Sequence, residues 1–319
     1  MKRTVIYNIG KLAGILPSGV MKLEGEAMGC VECIDDAYLV IENGLISEFG
    51  HCTTDASASE QNTEYIDAKG GYVMPCFCDS HTHIVYAGCR DGEFRDKIDG
   101  LSYEEIAARG GGILNSADLL HNTSEDELYR QSMERVNEIM SMGTGAVEIK
   151  SGYGLTLEDE LKMLRVIRRI KETTPLTIKS TFLGAHAVGR AYKGRQGDYV
   201  DHICKDMLPA VAAENLADFV DVFTDKGFFT VEETDKILAE AAKYGIKPKI
   251  HANELAVSGG VQVGVKHNAQ SVDHLEATTD AEIECLRDSG TMPTMLPGCS
   301  FFLGIEFGRA KDYINAGLP

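Results

Sequence analysis

Tyr72-Val-Met-Pro-Cys-Phe-Cys-Asp-Ser-His-Thr-His83 decides the fold, because it reads as an apolar strand ending in two histidines one residue apart. Side chains of a strand alternate faces, so His81 and His83 leave the same side and can converge on one ion. The pair suits a borderline cation such as zinc, or iron or manganese, with a coordination position left for water. Pro75 breaks the run ahead of the pair and Asp79 stands beside it. An H-x-H without such flanks would equally describe two loop histidines facing solvent.

Downstream the pattern is strand, loop and amphipathic helix, repeated. Strands are expected at Val73–Asp79, Ala146–Lys150, Thr177–Leu183, Phe219–Phe223, Lys247–His251, Ser271–His274 and Thr291–Leu296. Helices are expected at Leu157–Thr173, opened by Thr156 as N-cap, and at Val231–Tyr244. Strands alternating with helices imply a parallel sheet with right-handed crossovers. Seven such units point to an α/β fold of the TIM-type (β/α)8 barrel kind over residues 73–319, with a doubly wound open sheet as the other arrangement. Upstream, residues 1–72 are short β-like pieces, with Asn43-Gly44 as a hairpin turn, and form a small N-terminal β-sandwich-like sheet domain.

The histidines fall where barrel chemistry lies, at the C-terminal ends of strands. His81, His83, His186, His251 and His274, five of the nine histidines, sit at or just past expected strand ends. His251-Ala-Asn-Glu254 offers a third ligand and a carboxylate that can take a proton from water and deliver it to a leaving nitrogen. His274, in Ser271-Val-Asp-His274, is assigned to polarising a substrate carbonyl; the alternative is a histidine that orients Glu254 or a ligand. The fourth strand carries no lysine to bridge two ions, so a single ion is expected.

Three further stretches fit a charged substrate with a planar polar ring. Arg90 can pair with a carboxylate in two-pronged fashion, a surface arginine being the other reading. The glycines around Tyr153 let the loop after the second strand approach a ligand, and Gly184-Ala-His186 follows the third strand likewise. Gly110-Gly-Gly112 lacks the lysine and preceding strand of a phosphate loop and reads as a lid or turn.

Composition narrows the partners. The 31 basic residues against 49 acidic ones give a net charge of −18 with no basic tract, which excludes a nucleic-acid surface. No apolar stretch reaches the length of a membrane span and the N-terminus lacks a signal-like apolar run, so a cytoplasmic protein is expected. Nine scattered cysteines suit reduced thiols rather than a disulfide framework. The expected partners are a small-molecule substrate and a second copy of the chain, a homodimer, with no nucleic acid and no membrane.

The segment Ile66 to His83 resembles the first-strand motif of the amidohydrolase superfamily. Together with Gly88-Cys-Arg90, Ala108 to Ile113, Glu148 to Leu155, Thr181 to Ala187, Lys249 to Leu255, Ser271 to Glu276 and Met295 to Leu303, it resembles the imidazolonepropionase family from about Val5 onward. That resemblance implies hydrolysis of 4-imidazolone-5-propanoate to N-formimidoyl-L-glutamate in histidine degradation, with one zinc or iron ion. It implies His81, His83 and His251 as metal ligands, Arg90, Tyr153, His186 and Glu254 as substrate contacts, and Glu254 and His274 as the catalytic pair. Cys76 and Cys78 depart from the family's usual glycine and aliphatic residue, as packing changes. The family also has an eighth strand whose aspartate completes the metal site, whereas this sequence stops at Pro319, so the expectation is a truncated member of uncertain activity. Two rivals stand beside this reading: another mononuclear amidohydrolase such as a nucleobase deaminase, whose substrate has no carboxylate for Arg90, and a barrel that binds without catalysing.

Overall fold

The computed structural model describes residues 2–52, 62–101, 105 and 112–319. They form two compact units, one of Met1–Cys76 with Pro319 and one of Phe77–Leu318.

In the first unit a sheet is built from β1 (Arg3–Ala13), β2 (Cys33–Glu42), β3 (Leu45–His51), β4 (Thr63–Asp67) and β5 (Tyr72–Val73). Its order is β3-β2-β1-β4, with β5 also pairing β1. β1 runs antiparallel to β2 and parallel to β4 and β5. Asn43 and Gly44 turn between β2 and β3 with φ of 52° and 84°, the pair of positive angles that a tight two-residue hairpin needs. Ile9, Leu12, Ala37 and Leu39 make its core.

The second unit is a wall of seven parallel strands in sequential order: β6 (Phe77–Thr82), β7 (Thr144–Lys150), β8 (Thr177–Ala185), β9 (Phe219–Thr224), β10 (Lys247–Ala252), β11 (Ser271–His274) and β12 (Met292–Met295). The first of these differs from expectation at Pro75. The proline ends the apolar run, leaving Tyr72–Val73 to pair with β1, while the barrel strand begins at Phe77 and includes His81 rather than stopping before it. The first unit accordingly reaches Cys76 rather than residue 72. Thr156 accepts from the Asp159 amide and opens the helix Leu157–Thr173 as an N-cap, and Thr230 opens Val231–Ala242 with a full capping box. Of the Gly110-Gly-Gly112 stretch, Gly110 and Gly111 lie outside the described residues, and Gly112 is the N-cap of the helix Ile113–His121. Among the described residues, no helix is long and apolar enough to cross a membrane.

Period-two alternation sorts the strands into two faces. Val147, Ile149, Ile178, Phe182, Val220, Val222, Ile250 and Val272 join the apolar core, while Glu148, Lys150, Asp221, Lys249, His251 and Asp273, all buried, occupy the alternate positions. The loop after β7 is fastened from below by Glu160, a fully buried carboxylate that accepts from the backbone N–H of Gly152 (3.1 Å), Gly154 (2.8 Å) and Leu155 (2.9 Å). Gly154 must be glycine, since a Cβ there would lie 2.4 Å from the Glu160 amide nitrogen.

Glu160→Ala strands these three buried donors. At about 1–3 kcal/mol for each unsatisfied buried group, we expect a stability loss of about 3 kcal/mol or more in urea unfolding. A loss under about 1 kcal/mol would show that the loop does not depend on this carboxylate.

Candidate active site

Five imidazoles meet at the C-terminal mouth of the strands. Ring centroids lie 4.5 Å apart for His81 and His251, 5.2 Å for His81 and His83, 5.2 Å for His83 and His186, and 5.0 Å for His251 and His274. Four of these five histidines, His81, His186, His251 and His274, are less than a tenth exposed, and His83 is part-buried.

The interior charges fix two of these rings. His251 Nδ1 lies 2.9 Å from Asp221 Oδ2, and His81 Nδ1 lies 2.7 Å from Asp273 Oδ2. An ionised carboxylate only accepts, so each Nδ1 carries the proton and each Nε2 keeps its lone pair. The carboxylates are held in turn: Lys150 Nζ stands 2.8 Å from Asp221, 2.9 Å from Glu148 and 3.7 Å from Asp273, and Lys249 Nζ stands 3.3 Å from Asp273 while donating to Ser80 O. Burial would raise the pKa of Asp221, but His251 and Lys150 beside it hold its carboxyl well below the usual range.

The same region has nitrogen atoms placed so that they could hold a cation. His81 Nε2 and His83 Nδ1 are buried without a hydrogen-bond partner, and His83 Nε2 faces His251 Nε2 at 3.2 Å. Of two nitrogens so placed only one can carry a proton, whereas both can donate lone pairs to an ion. Burial pushes His81, His83 and His251 below the ordinary histidine pKa, and His186 down to about 3, so all four rings are neutral. Donor atoms of His81, His251 and His274 also lie within 4.8 Å of one another. His274 differs electrostatically: burial opposes its charge, yet Cys299, Glu276 and Glu254 outweigh it and push the pKa up to about 10. Its Nδ1 is 3.6 Å from Glu254 Oε2 and 3.7 Å from Glu276 Oε2. The donor set therefore fits a cation on neutral imidazoles, with a protonated His274 alongside.

Around this cluster stand the remaining expected residues. Tyr153 packs 5.8 Å from the His83 ring and 5.3 Å from that of His186, whose Nδ1 donates to Gly152 O at 3.0 Å. Arg90 is the outermost, with its guanidinium carbon 6.0 Å from the Tyr153 ring centroid and Nη1 3.6 Å from Glu93. Glu254 follows β10 in a turn that Asp225 secures by accepting from the Leu255 and Ala256 amides, and burial raises its pKa above the usual carboxylate value. Sequence reading did not single out Glu148, Asp221, Lys249, Asp273, Glu276 or Cys299 as parts of this site. A signal for most of them was present: a charged residue at alternate positions of an otherwise apolar strand points into the barrel.

No protein-family model matches the chain. Among solved structures the chain superposes on a guanine deaminase from C. acetobutylicum at TM-score 0.67 and 13% identity, covering 98% of this chain and 72% of that one. It superposes on a 5-methylcytosine deaminase from Klebsiella pneumoniae at 0.66 and 14%, again covering 98% and 72%. These superpositions show the fold, a parallel β/α barrel of the kind those two deaminases have, with the histidine cluster at its strand ends. In sequence, the chain is 53% identical over 317 residues to an imidazolonepropionase of Flavobacterium psychrophilum, covering 99% of this chain and 77% of that protein. It is 41% identical to an imidazolonepropionase of Thermoanaerobacter pseudethanolicus, covering 98% and 74%. The chain belongs to the imidazolonepropionase family.

If Asp221 sets the tautomer of His251, Asp221→Asn should weaken retention of a bound divalent ion about 10- to 100-fold, as loss of a carboxylate behind a ligating histidine does. Metal content after timed exposure to a chelator is the measurement; retention equal to wild type would dissociate Asp221 from the site.

Proposed function

We propose that the chain hydrolyses 4-imidazolone-5-propanoate to N-formimidoyl-L-glutamate, the ring-opening step of histidine degradation that its family name denotes. The observation that carries the proposal is the meeting of neutral His81, His83 and His251 with the acid–base pair Glu254 and His274, under a rim that holds Arg90 and Tyr153. His81, His83 and His251 would hold one zinc or iron ion, which when bound supplies a Lewis acid that makes water acidic enough to attack at neutral pH.

The protein's own groups account for the rest. Glu254, buried beside the cluster, accepts a proton from the attacking water and returns it to the ring nitrogen as the amide C–N bond breaks. Protonated His274 faces the two carboxylates Glu254 and Glu276, and its charge stabilises the oxyanion that develops on the ring carbonyl. Arg90 pairs with the propanoate carboxylate, and Tyr153 and His186 wall the ring. A nucleobase offers Arg90 no such anion, which favours the imidazolone over the deaminase alternative.

Glu254→Gln keeps shape but cannot shuttle the proton, so kcat should fall by at least about a hundredfold. Arg90→Ala should lower kcat/KM at least about tenfold, about 1.4 kcal/mol, and remove any preference for the acid over its uncharged amide analogue. Steady-state assays with imidazolone propanoate, its amide and cytosine check both: an Arg90→Ala enzyme with wild-type preference, or cytosine turned over faster than the imidazolone, would overturn the substrate assignment.

A further inference from the structure

We propose that Glu254, His274 and Cys299 form a second cation site, beside the histidine cluster, that takes a thiophilic divalent ion such as zinc or cadmium and blocks the enzyme when filled. One ligand atom from each of the three lies within 4.8 Å of the others. His274 is 4% exposed and its Nδ1 has no hydrogen-bond partner, although it points at Glu254 Oε2 from 3.6 Å. Glu276 Oε2, 3.7 Å from the same nitrogen, is also buried without a hydrogen-bond partner, so two carboxylates face this one ring atom. Cys299 Sγ lies 3.9 Å from Glu254 Oε1, in the first turn of the helix Pro297–Leu303, and is only half-buried.

One nitrogen, one oxygen and one sulfur donor form a borderline-to-soft set that zinc or cadmium accepts in a tetrahedron with one position open, and that magnesium or calcium, which want oxygen alone, does not. On binding, the cation takes the place of the Cys299 thiol proton and of the proton on His274, and both go to solvent. The ion would then occupy the acid–base pair of the proposed reaction. That consequence rests on the functional reading above, whereas the site itself does not.

The test adds zinc chloride to metal-loaded protein and follows alkylation of Cys299 by iodoacetamide through peptide mass mapping. In wild type, zinc should slow Cys299 alkylation at least about tenfold, and Glu254→Gln should raise the zinc concentration needed by at least about tenfold. In Cys299→Ser the zinc concentration that halves hydrolysis, taken against that variant's own rate without added zinc, should rise at least about tenfold over wild type. Alkylation indifferent to zinc, or protection unchanged in Glu254→Gln, overturns the site. If neither chain hydrolyses imidazolone propanoate, the functional reading fails while the alkylation result still decides the site.

Discussion

Lys150 is the residue on which the architecture of the site turns. Its ammonium, fully buried, lies within 4 Å of the carboxylates of Glu148, Asp221 and Asp273, and two of those carboxylates each orient an imidazole. Taking any one of these charges out of water is costly by itself, and only close mutual neutralisation makes the group tolerable inside a barrel. Lys249 adds the second cation, so two lysines stand among three carboxyl groups, and burial raises the pKa of one of them, Glu148.

The same field divides the histidines. His81, His83 and His251 sit above the lysines, where burial and nearby positive charge keep the rings neutral. His274 stands at the edge of the ring cluster, against Glu254 and Glu276, where a proton is favoured. Rings about 5 Å apart thus differ in charge because of what stands behind each, and a single pocket holds both free lone pairs and a cationic imidazolium.

Much of this was legible in the chain. The strand–helix alternation gave the barrel because buried parallel strands and amphipathic helices have different periods, and the histidines were found because strand ends are where such barrels place chemistry. What was not legible follows from distance in sequence. Nothing in Ser271-Val-Asp273 announces that its carboxylate meets His81, 192 residues earlier. Nothing around Cys299 announces Glu254, 45 residues away. Pro75 misled for a local reason: an apolar run broken by proline reads as one strand, yet tertiary pairing gave its two halves to different sheets.

The span of these contacts bears on how the molecule comes into being. His81 with Asp273, Lys249 with Ser80 and His83 with His251 join residues 192, 169 and 168 positions apart, so hardly any of the pocket consists of near neighbours. Contacts of such separation form late, after the loop-closure entropy of most of the barrel has been met. During synthesis His81 and His83 emerge with only solvent for company, and they remain two ordinary exposed imidazoles until the strand bearing Asp273 has cleared the ribosome. A metal held by these imidazoles, as proposed above, would therefore find its ligands assembled only once most of the barrel is in place.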